Sequence, residues 1–332
     1  MNSRVRFTIQ LSIEIIILCI LLLLSIRYGA NKNSNDTVMN AIFNYQSSNL
    51  DQQIIRQIRI PRVIGAALIG SALACSGALM QCVTKNPMAD SGLLGINSGA
   101  ALMLTMSFIF FPKLSTQQTT IFSVFGAALA SILVFGLSSM KKAQLSPTIL
   151  VLAGMAISAF FTALSEGLAL ISQLKQDLAF WHFGGISAVN WNQLIHLGPW
   201  VIGGLLVALL LTPNLNLLNL SDDSIQSLGK NINIIRSITL ICVVILSGIS
   251  VALVGAVAFV GLIIPHIAKF LVGADYRQVM PMTLILGANL TLCADLIART
   301  INPPNETPFG IIISLVGVPF FIYLARKDNQ RI

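Results

Sequence analysis

Three histidines, five cysteines and 12 acidic residues are the groups in this 332-residue sequence best suited to act as bases, nucleophiles or metal ligands. Their spacing argues against all three roles. His182, His196 and His266 lie far apart, and a lone histidine in an apolar chain is usually structural. His266, directly after Pro265, is expected to bond to backbone rather than to a metal. Cys19, Cys75, Cys82, Cys242 and Cys293 all fall in apolar runs without a CxxC spacing, so they read as small hydrophobes and no metal site is expected. The sole Gly-Lys pair, Gly229-Lys230, is followed by Asn231 and has no glycine at position 224, which excludes a Walker A loop. No HExxH and no GxSxG occurs. Neither catalytic residues nor a cofactor bound by this chain are expected.

The acids that stand out are those inside apolar runs, because an intramembrane charge is the usual pointer to ion coupling. They are Glu14, Glu166 and Asp295. Glu14 is placed near an inner membrane boundary and Glu166 in an outer half-span. Asp295 precedes Arg299 by four residues, the orientation that favours a helical ion pair. One structural pair and two interface carboxylates make a poor relay.

The elements that must position these residues follow from composition. Hydrophobic residues make up 55% of the chain and charged ones 10%, against roughly 25% charged in an ordinary globular domain. Mean hydropathy is +0.83. Such a chain cannot clothe a water-facing surface, so a soluble enzyme, a disordered regulator and a secreted disulfide scaffold are excluded. At roughly 20 residues per span, the length holds about ten membrane helices. They are expected near 8–28, 62–82, 92–111, 120–139, 148–171, 194–212, 236–253, 256–271, 279–299 and 308–325, with the seventh and eighth least clearly divided. The chain reads as an all-α polytopic membrane protein, one integral domain over 1–332.

Arg4 and Arg6 before the first apolar run resemble a signal-peptide start, but no A-x-A-like site follows, so an uncleaved first span is expected. The net charge of +8 fits the positive-inside rule better than nucleic-acid binding, since no basic stripe with interleaved aromatics exists. With both termini cytoplasmic, 12 of the 20 Lys and Arg fall on inner segments and eight outside. Spans two to five and seven to ten then run in opposite senses, as in inverted-repeat transporters. Between the spans, Trp181 and Trp191 mark 172–193 as an interface-anchored loop. Residues 220–229 open with cap-type residues and end at Gly229, which suggests a short helix on the cytoplasmic face.

Several segments recur in a fixed order. Arg59-Ile60-Pro61-Arg62 opens span two, where Gly70, Ala74 and Gly77 favour close helix packing up to Gln81. Asn86-Pro87-Met88-Ala89-Asp90 is a turn signal, followed by Gly92 through Gly95 and Asn97-Ser98-Gly99. Phe259-Val260-Gly261 leads to Pro265-His266, where proline should kink or end span eight. Asp295 with Arg299, then Glu306-Thr307-Pro308-Phe309-Gly310 and Gly317-Val318-Pro319, complete the series.

This series resembles the permeases of type II ABC importers for iron-siderophores, haem and vitamin B12, the FecCD-type family, over about residues 10–325. Ser91, Ser221, Ile225 and Lys269 depart from that family's usual residues. The resemblance implies the type II importer permease fold in a bacterial cytoplasmic membrane, surrounded by lipid. It implies a second permease subunit, identical or paralogous, two cytosolic ATPases that consume the ATP, and an extracytoplasmic binding protein. Arg59, Arg62 and Arg299 match outer arginines that meet acidic residues on the binding protein. Asp222, Asp223, Ser227, Leu228 and Gly229 match the helix that couples to the ATPase. A ferric siderophore is the expected cargo, with haem or cobalamin as the alternative; an ion-coupled secondary carrier or a membrane-embedded enzyme are readings of other classes.

Overall fold

The computed structural model describes residues 3–29, 34–92, 95–139, 147–172, 185–218, 227, 229–303, 305 and 307–328, and they are helical with no strand. In chain order the helices are α1 (Ser3–Arg27), α2 (Asn35–Phe43), α3 (Leu50–Ile54), α4 (Ile60–Thr84), α5 (Ile96–Phe110), α6 (Thr116–Ser139) and α7 (Pro147–Ile171). Then come α8 (Trp191–Leu210), α9 (Thr212–Leu218), α10 (Ile232–Val254), α11 (Val260–Val272), α12 (Tyr276–Ile301) and α13 (Phe309–Asp328).

α4 is the axis of the bundle, packed by α8, α10, α11 and α12. In lipid, helices associate through close van der Waals packing and interhelical hydrogen bonds, so small residues decide who touches whom. A Cβ on Gly70 would overlap the Gly287 carbonyl of α12, and one on Gly77 would overlap the Gly261 backbone of α11. The Thr291 hydroxyl donates to the Ala66 carbonyl at 2.8 Å, and Ser71 to the Leu284 carbonyl at 2.8 Å, tying α4 to α12 twice more. Outward faces carry exposed apolar side chains such as Leu23, Ile121, Ile132 and Trp200, as a lipid-facing surface requires.

Each of the ten expected spans overlaps a helix of the described residues, but these helices differ in kind. Among the described residues, seven helices are long and apolar enough to cross a membrane, and three apolar ones are shorter: Ile96–Phe110, Val260–Val272 and Phe309–Leu324. Thirteen residues of α11 reach only about 20 Å at 1.5 Å per residue, short of a hydrocarbon core of about 30 Å. Two of the three short helices start at a backbone break. Gly95 precedes α5 at φ +81° and Phe259 precedes α11 at φ +70°, both in the left-handed region.

One expectation needs correction in part. Pro265 does not end span eight; α11 runs through it to Val272. Glu14 sits midway along α1, where its carboxylate accepts from the Asn289 amide of α12 at 2.9 Å.

Candidate functional site

At the end that the charge balance places outside, α3 passes into α4 through a π-helical turn, Ile55–Arg59, which turns Ile55 and Arg59 inward. Arg59 Nη1 donates to the Ile26 and Arg27 carbonyls at 3.0 and 2.9 Å. Those are the last carbonyls of α1, where a cation meets the negative end of the helix dipole. One turn further, Arg62 Nε and Nη2 both donate to Asp295 Oδ1 at 3.0 and 2.9 Å. Arg299, four residues on in α12, places Nη2 3.2 Å from Asp295 Oδ2, outside hydrogen-bond alignment. The expected Asp295–Arg299 pair is there, but Arg62 completes a cluster that spacing could not show.

Within the chain all three arginines are drawn inward. Arg59, Arg62 and Arg299 are only 7%, 5% and 5% exposed, and Asp295 is fully buried. The guanidinium groups are turned inward because the unsatisfied helix end of α1 and a carboxylate inside α12 need their donors. They brace the outer ends of α1, α4 and α12. Pro61, in the first turn of α4, needs no N–H there. Nearby, Arg56 stacks on Tyr45 at 4.6 Å, and its carbonyl accepts from Trp191 Nε1 at 2.8 Å. Trp191 thus anchors within the protein; Trp181 and Glu306 lie outside the described residues.

Deeper in the bundle, two non-helical stretches meet. After α4 the Asn86 side chain accepts from the Met88 N–H at 2.9 Å, closing a turn at Pro87. Asp90, buried, accepts from the Phe259 N–H at 3.3 Å. Its carboxylate therefore faces the positive N-terminal end of α11. Asn97 Nδ2, in the first turn of α5, donates to the Val257 carbonyl at 3.0 Å. Phe259, a bulky residue in a left-handed conformation, is held from the other side by the Gly317 backbone of α13, which leaves no room for a Cβ. Gly261 is needed because a Cβ there would strike Asp90 and Gly77, and Gly99 because α5 crosses α6 at Gly126.

Pro265 explains a further contact. Having no N–H, it leaves the Gly261 carbonyl four residues earlier without its helical donor. Gln81 Nε2 supplies one at 3.3 Å, while its Oε1 accepts from Lys269 Nζ at 3.1 Å. His266 Nδ1 bonds the Leu262 carbonyl at 3.1 Å and its ring meets Phe320 edge-on, the backbone role expected of it. Pro308 and Gly310 shape the start of α13, and Pro319 lies within it.

A seam of hydroxyls was missed by the sequence reading. Ser158, Thr162 and Ser165, spaced by four and three along α7, share one face and line a cavity with Asn97 of α5, and Thr105 pairs with Ser165 at 2.8 Å. Helical spacing of polar residues within an apolar run was the available signal.

At the inner end Asp275 caps α12, and the Arg277 N–H and the Asn216 amide hold its carboxyl below the usual carboxylate value. Asp222, Asp223 and Leu228 lie outside the described residues. Ser227 and Gly229 are exposed, and Gly229 has φ +69°, the conformation of a helix-terminating glycine.

A helical bundle with broken helices, a glycine-lined central axis and buried charge is the build of a membrane transport permease. The chain belongs to the FecCD transport family, whose model matches residues 17–327. It is 42% identical to the iron(3+)-hydroxamate import permease FhuB of Bacillus subtilis over 95% of this chain and 82% of that one. It is 37% identical to the ferric enterobactin permease FepD of Escherichia coli over 99% of both chains. A solved inward-facing metal-chelate type ABC transporter superposes with a TM-score of 0.81 at 29% identity, covering 96% of this chain and 98% of that one. The fold is that of a type II ABC importer permease, and the protein is a multi-pass protein of the bacterial cytoplasmic membrane.

Proposed function

We propose that this chain is the permease subunit through which a ferric siderophore crosses the cytoplasmic membrane. The observation that carries the reading is its near full-length likeness to permeases of iron-chelate systems, those for hydroxamate and enterobactin among them. The cargo arrives from an extracytoplasmic binding protein that docks on the end braced by Arg59, Arg62 and Arg299. Separate ATPase subunits supply the energy and engage segment 220–229 on the cytoplasmic side, where both termini lie. A second permease subunit completes the pathway. Haem is the second reading, supported by 36% identity to the hemin permease HmuU of Yersinia pestis over essentially both chains.

The test is uptake in proteoliposomes holding permease, ATPase and loaded binding protein, challenged with radio-iron hydroxamate, catecholate and citrate chelates and with haem. ATP-dependent accumulation of one ferric chelate class, with none of haem, is expected. Uptake that persists without ATPase, or of haem alone, overturns the proposal. In the same vesicles, single cysteines at Ser139 and Gln176 should label from opposite faces; labelling from one face refutes the orientation.

A further inference from the structure

The break at residues 255–259 sets two helix ends near one another: α10 stops at Val254 and α11 starts at Val260. Their dipoles point opposite partial charges at the gap, negative from α10 and positive from α11. The positive end has its counter-charge in Asp90. Beside the unwound stretch lie the Val257 carbonyl, held by the Asn97 amide, and a cavity of about 180 Å³. Asn97, Ser158, Thr162, Ser165 and the unwound residues Ala256, Val257 and Ala258 are among those that line it.

Two of its lining atoms lack a hydrogen-bond partner although they are out of reach of solvent. They are Asn97 Oδ1, on a residue only 3% exposed, and Ser158 Oγ. A buried polar atom with no partner is costly, so something polar belongs in the cavity. The lining offers amide and hydroxyl oxygens beside an unwound stretch, with the Val257 carbonyl next to Asn97. That set repels an anion and wastes an apolar ligand. It contains no carboxylate, the ligand a divalent cation would demand. Neutral hard oxygens at an unwound helix end suit a hard monovalent cation. At about 30 Å³ per water, the volume admits one such ion with a few waters.

We propose that this cavity is a site for a monovalent cation of the sodium class, with Asn97 Oδ1 and Ser158 Oγ as its side-chain ligands. Backbone carbonyls of the 256–258 stretch and the Thr162 hydroxyl complete the shell. The site does not depend on which cargo the permease carries.

The test uses the full-length permease purified in detergent in choline chloride, with sodium chloride exchanged in at constant ionic strength. A ligand that binds the folded form alone raises its melting temperature. A saturable rise with sodium and retention of radioactive ²²Na⁺ near one ion per chain are expected. Ser158→Ala removes a hydroxyl that bonds nothing in the protein, so it should melt like the parent in choline and bind sodium about tenfold more weakly. Asn97→Leu should abolish the sodium effect but also loses the Val257 bond, which is why the serine variant decides. No retained ²²Na⁺, an equal rise with choline, or parent-like sodium binding by Ser158→Ala would each overturn the proposal and leave water as the occupant.

Discussion

Two places in this bundle hold a buried aspartate against α4 or its continuation, and they solve the same problem with different means. At the outer end Asp295 is met by full charges, the guanidinium groups of Arg62 and Arg299. Inside the bundle Asp90 is met by the backbone N–H of Phe259 at the start of α11. The first arrangement is strong, long-ranged and tolerant of small displacements, because Coulomb attraction in a low-dielectric interior falls off slowly. The second works only at hydrogen-bond distance, so it demands that backbone approach backbone, which is why glycine stands at 77 and 261. A charged clamp fixes helix ends; a dipolar joint fixes a helix break and can be undone by one methyl group.

The largest effect expected from that contrast is at the clamp. Asp295→Ala leaves two buried guanidinium groups without their shared carboxylate, and breaking a buried pair from one side costs about 3–5 kcal/mol. The yield of monodisperse protein and its melting temperature should both collapse, with partial recovery in Asp295→Glu. If Asp295→Ala folds and melts like the parent, the clamp is not what holds α4 to α12, and the arginines are free for an outward role.

The joint should respond less to charge and more to volume. Gly77→Ala adds one methyl where the Gly261 backbone already lies, and overpacking of this kind costs about 1–3 kcal/mol. The melting temperature should fall measurably while Asp295 and its arginines are untouched. Unchanged stability in the Gly77→Ala variant would show that α11 stands further from α4 than backbone contact requires and would erase the difference between the two regions.

What the sequence could and could not foretell follows the same division. Spans were legible because lipid demands long apolar runs, and the Asp295–Arg299 pair because helical spacing is local. Arg62 joins that pair from 233 residues away, a meeting set by packing that no local pattern records. The outer arginines looked like surface charge because a count of loops cannot tell an exposed side chain from one folded back onto a helix end. The start of α11 was hidden because Gly255–Phe259 is as apolar as the helices around it; only its backbone is unwound. Pro265 pointed to a broken helix, yet the break lies six residues earlier, at Phe259.

The smallest and most specific effect belongs to Gln81, which sits where the joint continues toward the inner face. Its amide does two things at once, donating to the Gly261 carbonyl that Pro265 leaves without a donor and accepting from Lys269. Leucine at this position keeps the volume but removes both bonds. One long hydrogen bond to a neutral carbonyl is worth about 1 kcal/mol, and Lys269 keeps its contact with the Tyr276 ring 5.6 Å away. Gln81→Leu should therefore lower the melting temperature by only a few degrees. If proline is the reason for the contact, Pro265→Ala restores the helical donor to Gly261 and makes the glutamine redundant, so the double variant should lose less on Gln81→Leu than the parent does. Equal losses in the two backgrounds would show that Gln81 serves Lys269 and not the broken helix.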